Sequence, residues 1–252
     1  MNVATMAAVA GMAASLLLGG IARAEPPTAV IELGPLLGAR RFTFADPSAA
    51  SLRDYEATGA FGVALRAEAY PLALAPNLRL GGGFGYHTTT GLYSDTDRGR
   101  SIPSIWTRLE AAAALRLAIG DATVALGLGV QREHFDFADG DPALPSARYL
   151  ALRAGLALRV ALGPIALLAS GAALPVVRLG GVSERWAKAR AFGFEGTFGV
   201  GVPLTPNLEA RALFGHTRYG SRYEGPSSAV GGDASGATDA LWRLQVTLVF
   251  SY

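Results

Sequence analysis

The sequence predicts an all-β chain that closes into a transmembrane up-and-down antiparallel β-barrel. Ten strands fit best, with eight or twelve as alternatives. Three observations carry this expectation. Half of the 252 residues are apolar, yet beyond the N-terminus no run of ~20 apolar residues offers a membrane-spanning helix. Ten later segments alternate apolar with polar or small residues, the period of a strand with one oily wall and one wet one. The connections between those segments alternate short and long. The 32 glycines suit an all-β chain of many turns. A formal charge of +2 is too small to argue for a nucleic-acid partner. Cysteine is absent, which fits a chain exported unfolded without wrong disulfides.

The N-terminus reads as a targeting segment. Val3 to Ile21 is an apolar run rich in Ala and Leu, and Ala22-Arg23-Ala24 supplies a small-x-small cleavage pattern before Glu25-Pro26-Pro27. Residues 1–24 are expected to be a cleaved signal peptide and 25–252 a single barrel domain. No Lys or Arg precedes the apolar run, so only the α-amino group is positive there. An uncleaved N-terminal anchor is the alternative.

The strand segments run 29–42, 60–70, 77–89, 106–119, 122–135, 148–162, 165–177, 189–202, 208–219 and 239–252. Many exceed the ~9–11 residues that a tilted strand needs to span a bilayer. The sixth alternates most cleanly, with Leu150, Leu152, Ala154, Leu156, Leu158 and Val160 opposite Arg153, Gly155, Ala157 and Arg159. The fourth carries an Ala run that also suits a helix. Its charges at Arg108, Glu110 and Arg116 keep period two, so it is read as a strand. Short turns are expected at 71–76, 120–121, 163–164 and 203–206, and long polar loops at 45–59, 90–105, 136–147, 178–188 and 220–238. Two-residue hairpin turns fix register. Around Gly120-Asp121 they set Arg108 opposite Glu133 and Glu110 opposite Gln131; around Gly163-Pro164 they set Ser170 opposite Ala157. The longer turn near residues 73 and 74 brings Glu68 to Arg79.

Charged residues inside strands share the non-apolar face: Glu32, Arg66, Glu68, Arg79, Arg108, Glu110, Arg116, Glu133, Arg153, Arg159, Glu195, Glu209, Arg211 and Arg243. An unpaired charge facing lipid at mid-depth costs ~2–4 kcal/mol, so this set is expected to face the lumen as an ion-pair network. Gly81, Gly83, Gly85, Gly127, Gly129, Gly193, Gly199 and Gly201 lie on the same faces and leave room for these long side chains. Arg41, Arg132, Arg190 and Arg218 have the opposite parity near strand ends. Arg suits phosphate, so these four are expected to contact lipopolysaccharide.

The last strand resembles the C-terminal signal strand of bacterial outer-membrane barrels. Leu244, Val246, Leu248, Phe250 and the terminal Tyr252 place apolar residues at every second position before an aromatic end, with Tyr where that family more often has Phe. The resemblance is to the class of small outer-membrane barrels, and no motif selects a subfamily. It implies assembly by the outer-membrane barrel machinery, lipid and lipopolysaccharide as partners, an outer-membrane location and a monomer. A soluble lipocalin-like barrel shares the alternation with its apolar face inward. The export segment, the last strand and the single lysine, Lys188, favour the membrane.

Catalytic and metal motifs are lacking: there is no HExxH, no GxSxG and no cysteine site, so neither metal nor cofactor is expected. The omptins, proteases of ten strands, are the enzymatic cousins by strand count and need Asp and His converging at the outer mouth. Asp95, Asp97, Asp136, Asp139 and Asp141 are the carboxylates available to His87, without a spacing that singles out a dyad. The expected role is a non-enzymatic structural or surface-interaction envelope protein with long extracellular loops and a largely salt-bridged lumen. A narrow porin-like channel and an extracellular-rim hydrolase are the alternatives.

Overall fold

The computed structural model describes residues 27–48, 54–90, 92–95, 101–137, 146–227 and 233–252. The expected signal peptide lies outside them. The strands are β1 (Ala29–Ala45), β2 (Tyr55–Ala75), β3 (Leu78–Thr90), β4 (Leu92–Asp95), β5 (Ser101–Ile119), β6 (Ala122–Phe137), β7 (Ala147–Leu162), β8 (Ile165–Gly181), β9 (Trp186–Thr205), β10 (Leu208–Ser227) and β11 (Gly236–Ser251). Except for β3 and β4, chain neighbours pair antiparallel, β1 pairs with β11, and β3 pairs with β5, so the sheet closes. Short β4 continues β3 along β5, so the barrel has ten staves.

Four connections are two-residue turns: Pro76-Asn77, Gly120-Asp121, Gly163-Pro164 and Pro206-Asn207. They share one end of the barrel with Pro27 and Tyr252, which we call the turn end; the opposite, loop end carries the remaining connections. Gly120 and Gly163 open their turns at φ 59° and 61°, a conformation in which a side chain would be strained. Both glycine turns hold the expected register, with Arg108 opposite Glu133, Glu110 opposite Gln131 and Ser170 opposite Ala157.

The two proline turns correct the reading of 71–76 and 203–206. Ladder pairing continues to Ala75 and Thr205, because Pro71 and Pro203 are accommodated within β2 and β9 beside register shifts, where a missing N–H is tolerated. With the turn displaced, Glu68 lies opposite Gly83 and Arg79 opposite Ala73, so the expected Glu68–Arg79 meeting does not occur. The loop-end boundaries move as well. β10 runs to Ser227, β8 to Gly181, and β2 starts at Tyr55, all inside segments read as loops. Beyond the apolar belt the outward positions become polar or small, so period two fades from the sequence while the ladder continues.

Facing follows the alternation. Outward positions form an apolar belt, with Leu128, Phe194 and Phe61 more than 60% exposed. Inward positions are charged, polar or aromatic. One bulge changes parity: Ala60 pairs with Gly38 but Ala57 with Arg40, and Gly59 takes φ 77°. Both Ala60 and Tyr55 therefore face the interior, where they are buried. Long inward side chains lie over glycines of neighbouring strands, as the sequence led us to expect. Glu110 crosses Gly85 and the Tyr219 ring covers Gly193, so a Cβ at either glycine would collide with them.

Candidate functional site

The lumen is the candidate site, and it has three tiers. Nearest the loop end is an aromatic disc. Phe42 and Phe44, Tyr55, Trp106, Phe135 and Phe137, Tyr149, Leu174, Trp186, Tyr219 and Tyr223, and Leu241 form one buried cluster drawn from nine strands. Tyr149 stacks on Tyr219 at 4.0 Å and Trp186 on Tyr223 at 4.1 Å. β3 joins through Thr89, whose hydroxyl oxygen accepts the Trp106 backbone N–H at 3.1 Å. Inside this apolar layer sits a two-point ion pair. Arg40 gives Nε and Nη2 to the two carboxylate oxygens of Asp239, each at 2.8 Å, and both side chains are 1% exposed. The Tyr149 hydroxyl donates to Asp239 at 2.9 Å, and the Arg40 guanidinium lies 4.0 Å from the Phe135 ring centre.

The middle tier is ionic. Glu195 on β9 meets Arg108 from β5, Arg153 from β7 at 3.1 Å and Arg243 from β11 at 3.4 Å. Arg108 also reaches Glu110 at 2.7 Å. Glu133 accepts three neutral donors instead: Trp106 Nε1 at 3.0 Å, Gln131 Nε2 at 3.1 Å and the Tyr219 hydroxyl at 2.7 Å. These contacts link strands on opposite sides of the barrel. Among them lies a cavity of about 40 Å³ lined by Arg66, His87, Arg108, Glu110, Glu195 and Arg243 among others. It has room for a few waters.

The tier at the turn end is wetter. Glu209 holds Arg159 at 2.6 Å and Arg211 at 2.5 Å, and Arg211 continues to Glu32 at 3.1 Å. Glu32 also accepts the Thr247 hydroxyl at 2.6 Å. Arg66 pairs with Glu68 at 2.7 Å while its side chain remains 47% exposed. Arg116 lies 3.9 Å from the Tyr70 ring centre and donates Nη2 to the Pro27 carbonyl at 2.5 Å.

All fourteen charges expected in the lumen have inward parity, but their partners are not those that register names. Glu133 is the ladder partner of Arg108, yet Arg108 ion-pairs with Glu110 and Glu195. Curvature makes inward side chains converge, so long ones reach across the lumen. Arg79 and Arg116 have no carboxylate within ion-pair distance among the described residues, and Arg79 faces Arg116 on the ladder. Sequence reasoning missed Arg40, Asp239 and the aromatic disc. Arg40 has the parity of Glu32 and Phe42, a signal that was available. Asp239 was assigned to a strand end, but it is buried in β11.

On the outer wall Arg41, Arg132, Arg190 and Arg218 are exposed and outward, as their parity requires. His87 faces the lumen 3.4 Å from Gln245, whereas Asp136 meets His134 at 2.7 Å and Arg148 at 3.4 Å on the outside. Asp136 therefore does not approach His87; Asp97, Asp139 and Asp141 lie outside the described residues. Leu244, Val246, Leu248, Phe250 and Tyr252 all face outward and exposed.

No family model matches the sequence, and no curated protein matches it either. Solved structures do. The outer-membrane protease OmpT of Escherichia coli aligns with a TM-score of 0.51 at 12% identity, over 89% of this chain and 96% of that one. The fold is that of the small bacterial outer-membrane β-barrels. An outer-membrane channel of Pseudomonas putida F1 aligns with a TM-score of 0.45 at 15% identity, over 88% and 97% of the two chains. Neisserial surface protein A aligns with a TM-score of 0.32 at 12% identity, over 89% and 97%.

Proposed function

We propose that this protein is a monomeric, non-enzymatic barrel of the bacterial outer membrane that acts as a structural or surface-interaction envelope protein and does not conduct. The observation that carries this reading is the double closure of the lumen. A buried aromatic disc lies above an ionic tier with a cavity of about 40 Å³. Solute passage would require separating stacked rings and several buried ion pairs together. The apolar belt supports placement in hydrocarbon, with the turn end toward the periplasm and the loop end outside. In this reading residues 1–24 direct export and are removed, and the outward face of β11 from Leu244 to Tyr252 is read by the assembly machinery. The test is single-channel recording on refolded protein in planar bilayers. Silence across several salts is expected; a reproducible ohmic step would replace this reading with the narrow channel.

The exposed outer-wall arginines support a second contact, with lipopolysaccharide phosphates in the outer leaflet. Arg41 and Arg218 lie on one ladder row, each paired with Ala240, so they flank the same residue of β11 on the outer wall. Changing Arg41, Arg132, Arg190 and Arg218 to Gln should reduce co-purified lipopolysaccharide. An unchanged amount defeats the assignment.

A further inference from the structure

At the turn end the lumen charges do not balance. Arg66, Arg159 and Arg211 are each engaged by Glu32, Glu68 or Glu209. The positive surplus is Arg79 and Arg116, which are direct ladder partners on β3 and β5. Like charges directly opposite on a sheet repel. The pair cannot part by slipping, because the Ala118 N–H donates to the Asn77 carbonyl at 2.9 Å and Asn77 Nδ2 donates to the Ala118 carbonyl at 3.3 Å. Arg116 is 7% exposed and is held against Tyr70 and the Pro27 carbonyl, which leaves its charge uncompensated. Glu68, on neighbouring β2, is already bound by Arg66 and by the Tyr70 hydroxyl at 3.2 Å. Two cations fixed opposite each other by the ladder, neither with a carboxylate among the described residues, are a site for an anion.

We propose that Arg79 and Arg116 together bind an oxyanion, a carboxylate or phosphate group, at the turn-end mouth of the barrel. Guanidiniums present forked N–H donors that match the edge of such a group. The source is a free oxyanion entering from the turn end.

The test is the unfolding midpoint of the refolded protein in detergent, with inorganic phosphate titrated against chloride at constant ionic strength. Specific binding to the folded state raises the midpoint with saturation. Nonspecific salt effects cancel in comparisons between variants. Arg79→Gln is the primary variant, since Arg79 makes no ion pair among the described residues and its loss should leave the barrel folded. Wild type should gain stability from phosphate, with the apparent affinity at least about tenfold weaker in Arg79→Gln and partly kept in Arg79→Lys. Equal phosphate responses in wild type and Arg79→Gln overturn the proposal, as does a wild type that does not respond to phosphate. Each outcome is independent of whether the barrel conducts.

Discussion

The Arg40–Asp239 pair gives the sharpest test of how the aromatic disc is held. Both side chains are 1% exposed, and two parallel contacts of 2.8 Å join them. Arg40→Met leaves the Asp239 carboxylate with the Tyr149 hydroxyl as a donor, in an apolar layer. Removing one partner of a buried pair costs about 3–5 kcal/mol. Asp239→Leu strands the cation instead, but Phe135, Phe42 and Tyr55 surround it at 4.0, 5.1 and 5.7 Å. Desolvated cation–π contact contributes about 2 kcal/mol, so Asp239→Leu should be the milder single change. The double variant Arg40→Met/Asp239→Leu replaces the pair with apolar bulk and should lie within about 2 kcal/mol of wild type, because such replacements are often neutral.

The assay is a double-mutant cycle from urea unfolding of protein refolded into lipid vesicles, followed by tryptophan fluorescence. Trp106 and Trp186 both lie in the disc and report its loss directly. A coupling of at least about 2 kcal/mol is expected for groups in direct contact. Single variants that each lose under ~1 kcal/mol, or a double variant that loses their sum, would refute the reasoning and make the pair a bystander.

Three further predictions follow from facing. Gly193→Leu, beneath the Tyr219 ring, should destabilise by about 1–3 kcal/mol through overpacking, whereas Gly196→Leu, outward with open space around it, should be tolerated; unfolding midpoints measure both. Leu128→Arg, at a position 71% exposed on the belt, should cost about 2–4 kcal/mol in bilayers and much less in a detergent that lets the chain snorkel. Tyr149→Phe should cost about 1–2 kcal/mol while keeping the stack on Tyr219, because only the hydroxyl donor to Asp239 is removed.

The wall was legible from sequence and the contents of the lumen were not. Facing is a local property, since the backbone sends successive side chains to opposite sides, so Arg153 and Leu152 declare their sides without reference to the rest of the fold. Register around Gly120-Asp121 was equally local, fixed by a two-residue turn. Pairing inside the lumen depends on which strands confront each other across a closed cylinder. Glu195 gathers arginines from β5, β7 and β11, a choice that no ladder specifies. The disc was hidden for another reason. Tyr55, Phe137, Trp186 and Tyr223 fall in segments read as loops, where no facing is expected, and Tyr149 and Tyr219 stand on the inward face among charges, where an aromatic layer is not the obvious reading. Parity was the better guide: Tyr219 shares its face with Glu209, Arg211 and Thr217, and it is buried like Glu209 and Thr217.

Glu133 shows what the disc does for the ionic tier below it. Three donors converge on its carboxylate, from the Trp106 indole, the Gln131 amide and the Tyr219 hydroxyl. Two of the donors belong to disc residues, so aromatic packing and ionic order share side chains. A carboxylate accepts at both oxygens, while an amide accepts at one and donates at the other. Glu133→Gln therefore turns a donor toward either the indole or the Tyr219–Gln131 side. The tyrosine hydroxyl can rotate to accept it; the indole N–H cannot. The amide should keep its oxygen on Trp106 and lose the Gln131 contact, at about 1–3 kcal/mol for a buried donor left unmet. Glu133→Leu deprives all three donors and should cost more than Glu133→Gln. Trp106→Phe combined with Glu133→Leu should recover part of that loss, since the indole N–H no longer needs an acceptor. Unfolding midpoints that rank the leucine variant level with the glutamine variant would mean that water, not Glu133, satisfies these donors, and the two tiers would then be independent.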